Sequence, residues 1–202
     1  MKKSMLACTV VMAMSGAPAF AQQPDPAHRG APPQTSTPAR TEAKASPDQQ
    51  FVTNVARDGM AEVELGRLAS EKASNDQVKQ FAQRMVDDHG KANDELKKLA
   101  ADKNITLPSE TDAKHKATID RLSKLSGEAF DKAYTQEMVA GHKKAVSAFK
   151  NESKSGKDAE VKAWAAKTLP TLEDHFKKIQ EVNRSVVGTS GVKQTEKPKG
   201  RH

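Results

Sequence analysis

Between Asp48 and Val187 the chain carries only two prolines, Pro108 and Pro170, in a stretch dominated by Ala, Lys, Glu, Leu, Gln and Asp. These are helix formers, β-branched residues are few, and nothing alternates with the two-residue period of a strand. Apolar residues instead recur at helical spacing. One stripe runs through Val52, Val55, Gly59, Glu62, Gly66 and Ala69, and a second through Val78, Phe81, Met85, His89, Ala92, Leu96 and Leu99. A third, less regular, uses Phe130, Tyr134, Met138, His142, Ala145 or Val146, and Phe149. The last runs through Val161, Trp164, Thr168, Leu172, His175, Ile179, Val182 and Val186, with Pro170 expected to bend its helix.

Capping signals divide the stretch. Ser46-Pro47-Asp48-Gln49 combines a capping box with proline at the first helical position, and Ser74-Asn75-Asp76-Gln77 repeats the Ser-x-x-Gln spacing. Ser109 to Asp112 opens a segment after Pro108, Ser126-Gly127 interrupts it, and Ser155-Gly156 separates the last two helices. The expected helices cover 48–73, 75–102, 110–125, 128–154 and 158–187. Four long amphipathic helices predict an all-α four-helix bundle. The short one, roughly 20 Å long at 1.5 Å per residue, can return the chain along the bundle as a crossover, giving up-down-down-up topology. A domain of about 140 residues can bury roughly two-thirds of its unfolded surface.

The two ends read differently. Met1-Lys2-Lys3, an apolar run from Met5 to Met14 and the small-x-small end Ala19-Phe20-Ala21 make residues 1–21 a secretory signal peptide. Cys8 lies near the start of the apolar run, where a lipoprotein cysteine would close it, so a lipid anchor is not expected. It is the only cysteine, so no internal disulfide can form. Residues 22–47 hold Pro24, Pro26, Pro32, Pro33, Pro38 and Pro47 among Ala, Ser, Thr and Gln, the composition of a disordered linker. Residues 188–202, with Lys193, Lys197, Lys199 and Arg201, read as a basic disordered tail. No stretch of the mature chain approaches the ~20 apolar residues of a membrane span, so the sequence predicts a periplasmic or secreted protein, peripheral at most to the outer membrane.

The formal charge of +7 raises nucleic acid or an anionic surface as partners. Its distribution weakens the first, because the helical stretch is nearly neutral and the excess sits in the signal and the tail. All seven aromatics of the domain lie on or beside apolar stripes, leaving no base-stacking surface. The tail alone remains a candidate contact with anionic envelope components.

Three histidines share a placement. His89, His142 and His175 each fall in the apolar stripe of a different helix, and Glu62 takes the corresponding place in the first. Counted from the hairpin turns, Glu62 and His89 differ in level by roughly 5 Å, and His142 and His175 by about one turn. The four can therefore converge, and three imidazoles with a carboxylate suit a divalent transition metal. Glu64 fits less well, lying off the stripe. Taken singly, each histidine reads more simply as a core residue bonded to a neighbour such as Glu62, Asp88 or Glu137. Met85 and Met138 each precede a stripe histidine by four residues, a thioether and imidazole combination that points to copper, although methionine in a stripe is usually core filler. No cysteine nucleophile, phosphate loop or nucleophile elbow is present, so binding is expected before catalysis.

The runs FVTNVARDGMAEVELGRLA (51–69), FAQRMVDDH (81–89), FDKAYTQEMVAGHKKAVSAF (130–149) and AAKTLPTLEDHFKK (165–178) resemble the domain-of-unknown-function 4142 family. The resemblance covers residues 48–186. It implies a ferritin-like crossover bundle in a secreted bacterial protein of the kind labelled outer-membrane, and it supplies no activity. Ferritin-like di-iron proteins use Glu-x-x-His pairs, whereas Val86, Val139 and Leu172 stand three residues before His89, His142 and His175. A di-iron oxidase or iron store lacks its main ligands here. Three functions remain open: a non-enzymatic envelope bundle that binds one metal ion and protects under stress, a metal-dependent redox enzyme, and a metal-free structural or interaction module.

Overall fold

The computed structural model describes residues 45–192, with side chains to Gly188. The signal peptide, most of the linker and the end of the basic tail lie outside the described residues. Five helices follow one another: α1 Pro47–Lys72, α2 Asp76–Asp102, α3 Ala113–Ser123, α4 Gly127–Ser155 and α5 Ala159–Val192. Among the described residues there is no strand, and no helix is long and apolar enough to cross a membrane.

The helix starts follow local chemistry. Ser46 caps α1 in a complete capping box with Gln49, and Pro47 occupies the first turn, where its missing N–H costs nothing. The cap of α2 lies one residue beyond the Ser-x-x-Gln signal. Asn75 accepts from the Gln77 and Val78 amides, while the Ser74 hydroxyl donates instead to the Asp131 carboxylate at 2.5 Å. A hydrogen bond to a buried carboxylate outcompetes a neutral cap. Asp112 caps α3 through the His115 amide, so that helix opens later than Ser109. Gly127, at φ +59, turns the chain from α3 into α4 in a region that a residue with Cβ rarely adopts. Pro170 sits inside a continuous α5, which runs five residues past the expected end at Val187.

Helices α1 and α2 form one antiparallel hairpin, and α4 and α5 the other. Two apolar clusters give the orientation. One joins Leu65 and Ala69 of α1 to Val78, Phe81 and Met85 of α2, Phe130, Tyr134 and Met138 of α4, and Ile179 to Val186 of α5. The other joins Val52 and Ala56 to Leu96 and Ala100, Val146 and Phe149, and Val161 to Leu172. The end of α1 therefore lies level with the starts of α2 and α4 and the end of α5, which is the up-down-down-up order. Helix α3 packs on α1 and α4. It enters at the second cluster's end, where the Thr111 hydroxyl donates to the Arg57 carbonyl, and leaves with Leu122 buried in the first cluster. It is the crossover.

Gly66 fixes how closely α1 and α2 approach, since a Cβ there would meet the Ala82 carbonyl oxygen at 2.8 Å. Between the two clusters each long helix presents a polar or small residue at the same level: Gly59 and Glu62, His89, Gly141 and His142, and His175. The core is two apolar halves around a polar layer.

Candidate metal centre

One ring nitrogen from each of His89, His142 and His175 lies within 4.8 Å of the other two. The ring centroids are 5.5 to 5.8 Å apart. His142 and His175 are each 1% exposed, and His89 is half-buried. The rings come from α2, α4 and α5, and Phe81 closes the layer on one side with its edge-on contacts to His142 and His175.

Two of the imidazoles have their tautomer set by the second nitrogen. His142 Nδ1 lies 3.0 Å from the Met138 carbonyl, which can only accept, so Nδ1 carries the proton and Nε2 the lone pair. His175 Nε2 lies 2.8 Å from Asp88 Oδ2, which in turn accepts from Arg84 Nε at 3.1 Å. The carboxylate accepts from Nε2–H, which leaves the lone pair on Nδ1. His89 Nε2, His142 Nε2 and His175 Nδ1 are all buried without a hydrogen-bond partner. Buried polar atoms are nearly always satisfied, so three orphaned nitrogens in one layer are a marked exception.

Electrostatics keeps the imidazoles neutral, the form that binds metal. Burial, then the neighbouring His142 and His175, push His89 down to about 3. Burial and His175 push His142 down to about 4. Burial also lowers His175, against the opposing pull of Asp88. Asp88 lies below its usual range because its bonds from His175 and Arg84 outweigh a desolvation cost of the opposite sign.

The fourth side of the layer belongs to α1. Glu62 lines the same cavity of about 360 Å³ as the three histidines, and its Oε2 has no partner. Burial, then the charges of Asp58 and Glu137, push its carboxyl up to about 8. Glu62 is not one of the group whose ligand atoms lie within 4.8 Å of each other. Its carboxylate faces α4, where a Cβ on Gly141 would stand 3.4 Å from Oε1. Glu64 is exposed. Met85 and Met138 are fully buried in the neighbouring apolar cluster.

Several cavity residues had no sequence signal. Asp58 on α1 and His115 and Asp112 at the start of α3 meet through contacts of 3.3 and 2.9 Å. Asn93 fills the notch left by Gly59, where a Cβ would overlap its side chain. The sequence does carry a related signal: Asp87-Asp88-His89 on α2 and Glu173-Asp174-His175 on α5 repeat an acidic-Asp-His triplet on the second helix of each hairpin. Arg84 joins the two copies, reaching Asp88 at 3.1 Å and Asp174 at 2.7 Å.

Solved structures share this fold at low sequence identity. A DUF305 fragment from Deinococcus radiodurans aligns with a TM-score of 0.61 and 16% identity, over 71% of this chain and 99% of that one. CopM in its Cu(II)-bound form aligns at 0.59 and 17%, over 68% and 96%, and in its Cu(I)-bound form at 0.58 and 16%, over 70% and 98%. No curated protein matches the sequence. The family model for a domain of unknown function, DUF4142, matches residues 33–182, and the chain belongs to that family.

Proposed function

We propose that this protein is a non-enzymatic metal-binding bundle of the cell envelope that holds one transition-metal ion, copper first among the candidates, between His89, His142 and His175. Glu62 stands on the fourth side as an additional oxygen ligand. The observation that carries the reading is the set of three buried, unpartnered ring nitrogens, two of them with the other nitrogen already committed to an acceptor. Such outer bonds orient an imidazole and raise its basicity toward a metal. Imidazole suits copper, zinc, iron and nickel alike. Copper is favoured by the shared fold of copper-bound CopM. The secretory reading of residues 1–21 assigns the work to the envelope, where binding a redox-active ion protects against its chemistry.

The test is direct titration of metal-free mature protein with Cu(II), Cu(I), Zn(II), Co(II), Ni(II), Mn(II) and Fe(II). One ion bound per chain, lost in His142→Ala and His175→Ala with helicity intact, is the expected result. No binding and no thermal stabilisation by any of these ions would end the metal reading. The cavity beside the layer is the one observation that favours a redox enzyme, since it leaves room for a substrate. Metal-dependent turnover abolished by His89→Ala would replace the binding reading with that one.

A further inference from the structure

The three rings that meet in the polar layer bring no charge to an ion. An imidazole that ligates through one nitrogen and keeps a proton on the other is a neutral donor, and His142 and His175 keep that proton against the Met138 carbonyl and Asp88. No carboxylate joins them. Among the described residues, the group whose ligand atoms lie within 4.8 Å of one another is His89, His142 and His175 alone. Apolar clusters lie on both sides of the layer, and His142 and His175 are almost wholly withdrawn from solvent.

The carboxylate bonded to one of the rings is itself offset. Asp88 meets His175 through the nitrogen that does not face the group, at 2.8 Å, and the Arg84 guanidinium lies against the same Asp88 oxygen at 3.1 Å. Asp174, on the far side of Arg84, is 56% exposed, so solvent screens it. An ion placed between the rings therefore keeps most of its own charge in a low-dielectric layer. In the Born description the cost of burying a charge rises with its square, so a divalent ion loses about four times what a monovalent ion does. Donor number points the same way. Cu(II) favours tetragonal sets of nitrogen and oxygen donors, which three rings alone cannot fill, whereas a closed d shell imposes no such geometry.

We infer that the three-histidine centre selects copper by oxidation state, holding Cu(I) in preference to Cu(II) and to Zn(II). This rests on the metal-binding reading and names the ion that the reading leaves open. By linkage, a preference for Cu(I) raises the reduction potential of bound copper above that of the free ion. Copper held in this way gives up its electron to dioxygen or peroxide less readily, which is how a centre without turnover suppresses the ion's chemistry. Two residues bias the preference in opposite senses. Glu62, on the fourth side but outside the group, offers a carboxylate whose charge matches a divalent ion better than a monovalent one. Arg84 offsets the Asp88 charge and so disfavours the divalent ion.

The experiment titrates metal-free mature protein with Cu(I) under anaerobic conditions and with Cu(II) and Zn(II) in air, each against a chelator of known affinity. The midpoint potential of bound copper is measured separately. Cu(I) should bind at least about 100-fold more tightly than Cu(II), which places the midpoint about 120 mV or more above the aqueous couple. Zn(II) has a closed shell like Cu(I) but twice the charge, and it too should bind at least about 100-fold more weakly than Cu(I). Glu62→Gln removes the divalent ion's oxygen donor and should widen the Cu(I) to Cu(II) ratio about tenfold, raising the midpoint by about 59 mV. Arg84→Gln uncovers the Asp88 charge and should narrow that ratio about tenfold, lowering the midpoint by the same amount. Loosened packing alone would weaken both oxidation states alike and leave the ratio in place. A ratio unmoved in both variants would overturn the inference, as would Cu(II) or Zn(II) held as tightly as Cu(I). Copper bound in neither oxidation state would refute the metal centre itself, an outcome distinct from these.

Discussion

His175 and Asp88 show how much of the centre depends on a single outer contact. Asp88 accepts from His175 Nε2 and so presents Nδ1 to the centre, and it is held in turn by Arg84. Asp88→Asn keeps the size of the side chain but offers either an amide NH2 or a weaker carbonyl acceptor, so the imidazole loses its fixed tautomer. Metal affinity should fall about 10- to 100-fold with helicity unchanged, measured by competition with a chelator of known affinity. Asp174→Asn, which touches Arg84 and no histidine, should have much less effect. The inward histidines were legible in the sequence because each falls in a stripe. Asp88 was legible only as one of several neighbours, because its reach from α2 to α5 depends on the register of two helices, and the pair it makes with His175 spans 87 positions of sequence. The Asp58–His115 contact was not legible at all, since it pairs an exposed position of α1 with a crossover whose path no local pattern sets.

At the scale of elements, each hairpin is braced by a carboxylate from the other. Asp131 of α4 accepts from the Ser74 amide and hydroxyl and from the Asn75 amide, all in the α1–α2 turn. Asp48 of α1 accepts from the Lys157 and Asp158 amides in the α4–α5 turn. Both carboxylates are buried, at 2% and 7% exposure. Asp131→Ala removes charge-assisted bonds and leaves two amides short of acceptors, so it should cost about 3 kcal/mol in urea unfolding of the metal-free protein. Lys97→Ala, which breaks an exposed pair with Asp94, should cost less than about 0.5 kcal/mol. Helix existence and most boundaries could be read from caps and stripes to within a few residues. The Ser74 cap could not, because the residue that captures its hydroxyl lies 57 positions away. The end of α5 was misplaced for a different reason: the sequence after Val187 has the small and polar residues of a tail, and the apolar stripe that marks a helix has already stopped.

For the whole molecule, the polar layer makes stability depend on pH in a way that identifies Glu62. His89 and His142 have folded values near 3 and 4 against 6.5 unfolded. The unfolded chain therefore binds protons first, and stability is lost as the pH falls from 6.5 through those values. Glu62 works in the opposite sense. With a folded value near 8 against 4.5, it stays protonated in the native layer, and the stability so gained is lost as the pH rises from 4.5 to 8. Between 4.5 and 6.5 two imidazoles outweigh one carboxyl, and above 6.5 only the carboxyl remains. The layer's contribution to the metal-free protein should accordingly peak near pH 6.5 and decline on the alkaline side by at most about 1.4 kcal/mol per pH unit. Asp58, Glu137 and Tyr134 are the titratable groups around Glu62. Glu62→Gln keeps the neutral shape and should flatten the alkaline limb while leaving the acid limb in place, as followed by urea unfolding from pH 4 to 9. A saturating metal ion that takes Glu62 as a ligand should flatten the same limb in the unaltered protein, because the ion replaces the proton. An alkaline limb that persists under saturating metal would place Glu62 outside the coordination sphere and leave the three imidazoles as the protein's ligands.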